Sequence, residues 1–199
     1  MKHQNQKNSF NPILRKHLNA DALFSGIYTD FSKVSDPRQG NITIPLADAL
    51  MSGFAMFSLK DPSLLAFDER RGVDQNLRNI YNIEKVPCDT QMRTILDEVN
   101  PEKLRVPFKG PFRQLQRGKA LERMVFFEGC YLLSLDGTGF FPSKKLHSNI
   151  CLEKVNKKTG VVTYHLQMLG AAIIHPDFKE AIPLAPEFIS KQDGETDYS

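Results

Sequence analysis

The apolar residues of this sequence change their period near Gly129. Before that point they recur every three or four residues, as on one face of a helix; after it they form short runs and alternations typical of strands. The two periods predict an α+β chain with two successive regions. We expect helices over residues 41–128 and antiparallel strands over residues 129–199, preceded by a flexible polar arm over residues 1–40.

Most of the predicted helices have a recognisable start signal. "ITIPLADALMSGFAMFSLK" is expected to begin at Pro45, and "DPSLLAFDERR" has Asp61 as its N-cap. "PCDTQMRTILDEVN" is capped near Asp89, and a further helix begins at Asn100 and is broken by the Gly-Pro pair at Gly110. The apolar face of the first of these helices comprises Leu46, Leu50, Phe54 and Phe57.

Three extended segments follow Gly129. "CYLLSLD" is a short apolar run that predicts a buried strand with Asp136 at its end, and "VVTYHLQMLGAAIIHP" alternates before becoming apolar on both faces. "AIPLAPEFI" contains two prolines, which favour a sheet edge. Because the connections are short, we expect the three strands to form an antiparallel meander.

Composition indicates an ordinary soluble protein of the cytoplasm. The chain has 199 residues, of which 41% are hydrophobic, and three widely spaced cysteines that match neither a disulfide framework nor a paired zinc motif. The N-terminus has no signal-peptide pattern, and no apolar run reaches the roughly 20 residues that span a bilayer. We therefore expect a cytoplasmic protein that makes no contact with a membrane.

Positive charge is concentrated in the helical region. Residues 1–130 contain 19 Lys and Arg against 15 Asp and Glu, whereas residues 131–199 contain 7 against 8. Seven basic residues and one acid lie between positions 103 and 123, which is a pattern typical of phosphate contacts and equally of a solvated helix face. The candidate DNA-binding residues in this stretch are Lys109, Arg113, Arg117, Lys119 and Arg123.

A second way to bind DNA is a helix-turn-helix motif. The helix that begins near Asp89 would then present Thr90, Gln91 and Arg93 to base edges. The same residue types also open ordinary surface helices, so both interpretations remain.

Asp136 is the candidate catalytic and metal-binding residue. A carboxylate at the rim of a sheet is held rigidly and is accessible to Mg²⁺, which prefers oxygen ligands. Glycines at 137 and 139 would let a phosphate backbone approach, and Lys144 and Lys145 could contact neighbouring phosphates, so both lysines are further DNA-binding candidates. The alternative is that Asp136 is simply a turn residue after a strand.

Several longer segments together resemble bacterial insertion-sequence transposases of the DDE superfamily. The resemblance extends from about Phe31 to Thr196. It is carried by "DPRQG", "LADALMSGFAMFSLKDPSLLAFD", "DTQMRTILDEVNPEKL", "QLQRGKALE", "LSLDGTGFFPSKKLHSNIC", "TYHLQMLGAAIIHPDFKEAIPLAPEFI" and "KQDGET".

The resemblance implies a helical DNA-binding region followed by a ribonuclease-H-like catalytic domain, whose first strand carries the first catalytic acid. Asp136 matches that position. It also implies two-metal phosphoryl transfer with Mg²⁺ or Mn²⁺, acting on the terminal inverted repeats of a mobile element.

The sequence departs from this family after the third predicted strand. The family continues through a fourth strand with a second Asp and a later helix with a Glu, whereas this sequence ends in "KQDGETDYS". We therefore expect a C-terminally truncated transposase with an incomplete ribonuclease-H-like domain over residues 129–199, inactive alone. Acids in the polar tail are expected to be solvated rather than catalytic.

Three functions follow from these patterns. The chain is expected to be a transposase fragment that binds DNA. The first alternative is a DNA-binding or multimerising module that pairs with itself or with full-length transposase and interferes with it. The second alternative is an unrelated α+β protein with a solvated basic face.

Overall fold

The computed structural model describes residues 18–140, 142–145 and 150–189. It contains helices followed by antiparallel strands, so the predicted α+β class is confirmed. The chain divides into two compact units, residues 1–123 and 124–199, five residues before the predicted boundary. The helices are α1 (Ala20–Phe31), α2 (Leu46–Ser58), α3 (Leu64–Arg71), α4 (Asn76–Asn79), α5 (Asp89–Asp97) and α6 (Arg105–Arg117).

Helix α1 lies within the segment that the sequence predicts to be a flexible arm. Asn19 caps it, because the Asn19 side chain accepts a hydrogen bond of 2.7 Å from the backbone N–H of Ala22. Phe31 is buried, and the ring of Phe24 stacks on that of Tyr81 with centroids 4.9 Å apart. The prediction of an arm is therefore wrong for residues 20–31, and its first 17 residues lie outside the described residues.

The core of the first unit forms around α2. Its buried side chains pack with residues from α3, α4 and α5, and partly buried residues of α1 cover them. Phe57, predicted to face this core, is 76% exposed because it lies in the last turn of α2, beyond the packed part of the helix. The buried residues at the centre of the core include Leu46, Leu50, Met51, Phe67, Leu77, Ile83, Met92 and Ile95.

A fully buried carboxylate joins three segments of this core. Asp48 in α2 accepts hydrogen bonds of 2.8 Å from the hydroxyl of Tyr28 and from the backbone N–H of Lys85. A buried charge is stable only when donors compensate it, and these two do so. Burial and the hydrogen bond to Asp48 raise the pKa of Tyr28 to about 12.

Two predicted helix boundaries are wrong. Ser63, rather than Asp61, caps α3, since its side chain accepts from the N–H of Ala66; the carboxylate of Asp61 instead pairs with Arg70 at 2.8 Å. The Gly-Pro pair at Gly110 does not break a helix, because α6 runs through it from Arg105 to Arg117. A proline inside a helix removes one backbone hydrogen bond, and α6 continues through Pro111 while it lies against α1.

The described residues of the second unit form seven strands, namely β1 (Val125–Phe127), β2 (Cys130–Gly139), β3 (Leu152–Val155), β4 (Val162–His165), β5 (Gln167–Ile174), β6 (Ile182–Pro183) and β7 (Glu187–Ile189). The sheet order is β1-β2-β5-β6, with β7 also paired to β5, while β3 and β4 form a separate hairpin. All the pairs are antiparallel, as predicted, but the second predicted strand is divided into two. Its second half, β5, pairs with β2, β6 and β7, whereas its first half, β4, pairs with β3 in the separate hairpin.

Strand β2 differs from its prediction in burial and in length. All ten of its residues are exposed, and Leu135 exposes 62% of its surface, so the expectation of a buried strand is wrong. An apolar strand is buried only where another element of the structure packs on it, and the apolar run by itself does not show whether such an element is present. Asp136 is not at the end of β2 either, because pairing with β5 continues for three more residues to Gly139.

Candidate nucleic-acid interface

Helix α6 is fixed by close packing of one of its faces against α1. The side-chain N–H of Gln114 lies 3.5 Å from the carbonyl oxygen of Ala22, and a Cβ added to Gly26 would lie 3.0 Å from the same side chain. A Cβ on Gly110 would collide with the carboxylate of Asp30. Glycine therefore occurs where the two helices approach most closely.

Three cations form what we call the basic stripe of α6, namely Lys109, Arg113 and Arg117. They are spaced four residues apart and are all exposed. Each is one residue before Gly110, Gln114 or Gly118, so the stripe lies about 100° around the helix from the packed face. In the described part of the chain, none of the three pairs with a carboxylate, and α6 itself contains no acid. The stripe spans about 12 Å of exposed positive charge.

The neighbouring basic residues differ in their environment. Lys119 forms an ion pair with Glu122 at 3.6 Å, and Arg105 forms one with Glu102 at 2.7 Å. Arg123 is exposed and lies in the 3₁₀ turn Leu121–Met124. The structure thus places three of the five candidates from this stretch on one helix face and the other two beyond the helix.

The remaining lysine candidates lie in the second unit. Lys144 and Lys145 are exposed in the loop after Ser143, where the backbone N–H of Lys145 donates to the Ser143 hydroxyl at 3.1 Å. Their exposure leaves their charge accessible to a phosphate.

The helix-turn-helix candidates in α5 have local partners. The side chain of Gln91 accepts from the backbone N–H of Cys88 at 3.2 Å and caps the helix. The hydroxyl of Thr90 donates to Asp89 at 2.9 Å. Only Arg93 is left exposed without a described partner, so α5 presents little that could read bases.

The sheet register determines which acids share a face with Asp136. Asp136 pairs directly with Gly170, and directly paired residues project to the same face. Glu187 is the other acid in the strands of this sheet, and it pairs with Leu169, on the opposite face. Among the described residues, no group of three or more His, Cys, Asp or Glu is placed to hold a metal ion.

A half-open cleft of about 590 Å³ beside α4 is a feature that sequence reasoning missed. Its walls carry both signs of charge, with Arg71 and Arg78 among Asp74 and Glu84. Mixed charge does not select a phosphate over water and counterions. The cleft therefore adds nothing to a nucleic-acid interface.

No protein-family model matches this sequence, and comparisons with the curated proteins and with the solved structures give no significant match. Within the described residues, no helix combines the length and apolar character that a membrane span requires.

Proposed function

We propose that this protein binds duplex DNA through the basic stripe of α6 and acts as the DNA-binding part of a transposase. The observation that carries the proposal is the alignment of Lys109, Arg113 and Arg117 on one exposed face, apart from any described carboxylate. The sequence motifs shared with insertion-sequence transposases support the choice of DNA over other polyanions. In that class, the target is the terminal inverted repeats.

The electrostatics of α6 favour phosphate over a merely solvated face. Like charges at i and i+4 of a helix repel each other by a few tenths of a kcal/mol, and α6 contains no acid that would offset this repulsion, as a bound phosphate would. Duplex DNA places one negative charge per about 1.7 Å along its axis, so a stripe of about 12 Å can meet two or three phosphates. Because α6 is closely packed on α1, the stripe would bind as a rigid unit.

We propose a ribonuclease-H-like relationship for the second unit. The antiparallel order of β2, β5 and β7, with Asp136 on the first long strand, supports it. The described residues do not fit the Mg²⁺ or Mn²⁺ pair that such a domain uses, because Asp136 has no second carboxylate on its face of the sheet. We derive no cleavage step, and DNA binding is the activity proposed for this chain.

The salt dependence of DNA affinity tests the proposal. Each phosphate that is neutralised releases about 0.9 counterion, so affinity falls steeply with salt. Replacing Arg113 and Arg117 together by Gln is expected to reduce the slope by about two units. Fluorescence anisotropy with a labelled duplex at several salt concentrations measures it.

The matched control removes the same charge elsewhere in the first unit. Lys60→Gln with Arg78→Gln changes two exposed cations outside the stripe and should leave the slope unchanged. Equal slopes for the stripe variant and the unmodified protein would assign the stripe to a solvated face. Equal slopes would favour the alternative that this chain is an unrelated α+β protein with a solvated basic face.

A multimerising module that pairs with full-length transposase is the second candidate. The observation that favours it is the exposure of apolar side chains along β2, including Leu133 and Leu135. Reduced transposition in cells that also express this chain, without loss of its DNA binding, would separate this role from simple competition for DNA.

A further inference from the structure

Strand β2 has one paired edge and one edge that is largely open. Its inner edge pairs with β5 from Leu132 to Gly139. On its outer edge β1 pairs only with Tyr131 and Cys130, so the described residues provide no partner for the outer edge from Leu132 onwards. The open edge is about 27 Å long and exposes unpaired backbone donors and acceptors.

The side chains of β2 lack the features that usually protect an edge strand. The strand contains no Lys, no Arg and no Pro, and Asp136 is its one charge. Leu133 and Leu135 project from the same face and expose 50% and 62% of their surfaces. An edge of this kind is suited to pairing with another β-strand.

We propose that the open edge of β2 pairs with β2 of a second copy of this chain, antiparallel and about a two-fold axis through Leu135. A two-fold axis perpendicular to a sheet keeps each face on the same side, so residues i and j pair only when their sum is even. With the axis through Leu135, the numbers of two paired residues add up to 270. Leu132 then pairs with Thr138 of the other copy, and seven residues of each strand take part in the pairing.

Charge and the position of β1 select this register. An axis through Ser134 would stop pairing at Leu132, because β1 occupies the edge at Tyr131. An axis through Asp136 would place two carboxylates directly opposite each other, which is destabilising. With the axis at Leu135, each Asp136 faces the hydroxyl of Ser134, and the two carboxylates are about 8 Å apart, about one Debye length.

The same register gathers apolar side chains. Leu135 lies directly opposite Leu135 of the other copy, and each Leu133 is diagonal to this pair on the same face. Leu169 in β5 lies on that face too and is 40% exposed. The joined sheets would thus share an apolar face across the axis, which the single sheet exposes to water.

Site-specific disulfide cross-linking tests the proposal and its register. In a background with Cys88, Cys130 and Cys151 changed to Ser, Leu135→Cys places two thiols opposite each other, with Cα atoms about 5 Å apart. Leu133→Cys places them about 14 Å apart, beyond the reach of a disulfide. Under mild oxidation, Leu135→Cys is expected to form a covalent dimer and Leu133→Cys to remain unlinked.

Sedimentation velocity over a range of concentrations provides an independent measurement. Leu135→Lys is expected to weaken the dimer at least about tenfold, because it opposes two like charges at the axis. The control Leu65→Lys changes an equally exposed leucine outside the sheet, in helix α3 of the first unit, and it should dimerise as before. Asp136→Asn should strengthen the dimer about twofold by removing the carboxylate repulsion.

Each outcome decides the proposal. A monomer at all concentrations, equal cross-linking at positions 133 and 135, or equal loss of the dimer in Leu135→Lys and Leu65→Lys would overturn it. The cross-linking result does not depend on DNA, so it can fail while DNA binding succeeds.

Discussion

Removing the hydroxyl of Tyr28 should destabilise the first unit more than the loss of a single oxygen atom would indicate. Tyr28→Phe deletes the 2.8 Å hydrogen bond to the carboxylate of Asp48, which is fully buried and is left with the N–H of Lys85. A hydrogen bond to a charged group contributes about 1.5–3 kcal/mol, and a buried acceptor cannot recover it from water. We expect the free energy of unfolding to fall by about 2 kcal/mol, or roughly 10 °C in Tm for a unit of this size.

Urea unfolding monitored by far-UV circular dichroism measures this change. Every α-helix of the described residues lies in the first unit, so the helical signal reports its unfolding. Tyr81→Phe is the matched control, because it makes the same chemical change at a 2.6 Å bond to the neutral hydroxyl of Ser58. We expect it to cost about 1 kcal/mol.

A double-mutant cycle and the pH dependence complete the test. Tyr28→Phe and Asp48→Asn should be strongly non-additive, because the two side chains share one hydrogen bond. Tyr28 has a raised pKa in the folded protein, so its stabilisation is complete below pH 10 and lost as pH rises towards about 12. Additive effects, or equal costs for Tyr28→Phe and Tyr81→Phe, would refute the claim that Asp48 depends on this donor.

Three further substitutions test local packing and charge. Gly110→Ala should destabilise the protein by about 1 kcal/mol in urea unfolding, because its Cβ would displace Asp30, whereas Gly53→Ala meets only ordinary contact and should stabilise it by a similar amount. The hydrogen bond from Arg38 lowers the pKa of Asp36, so its contribution is present above the ordinary pKa and lost as pH falls through the lowered one. From about pH 5 to about pH 2, Arg38→Gln should therefore lose less stability than the unmodified protein.

The sequence predicted the helices better than their ends. The start of α2 was predicted from Pro45, because the N–H that proline lacks would have no partner within the helix at that position. The N-cap of α3 was misplaced, because Asp61 and Ser63 are both good caps and only the ion pair to Arg70 distinguishes them. Helix α1 was missed although its apolar residues recur at helical spacing after the N-cap Asn19, because residues 1–40 were treated as one polar arm.

The candidate site was predicted in part. A spacing of four residues places Lys109, Arg113 and Arg117 on one face of any helix that contains them, so the stripe could be predicted once a helix was assumed. The continuation of the helix past Gly110 could not be predicted, because a Gly-Pro pair usually ends a helix. Here the glycine is required by the close approach of Asp30 in α1, which is a contact distant in sequence.

The sequence alone determined that a helical region precedes a region of strands and that basic residues cluster in the former, since both depend on spacing along the chain. Which faces are covered was decided only by tertiary structure. Asp48, for which no prediction was made from the sequence, is buried and accepts a hydrogen bond from Tyr28, while the apolar residues of β2 were predicted to be buried but are exposed. Periodicity shows which residues share a face, but whether a face meets water depends on segments far away in the sequence.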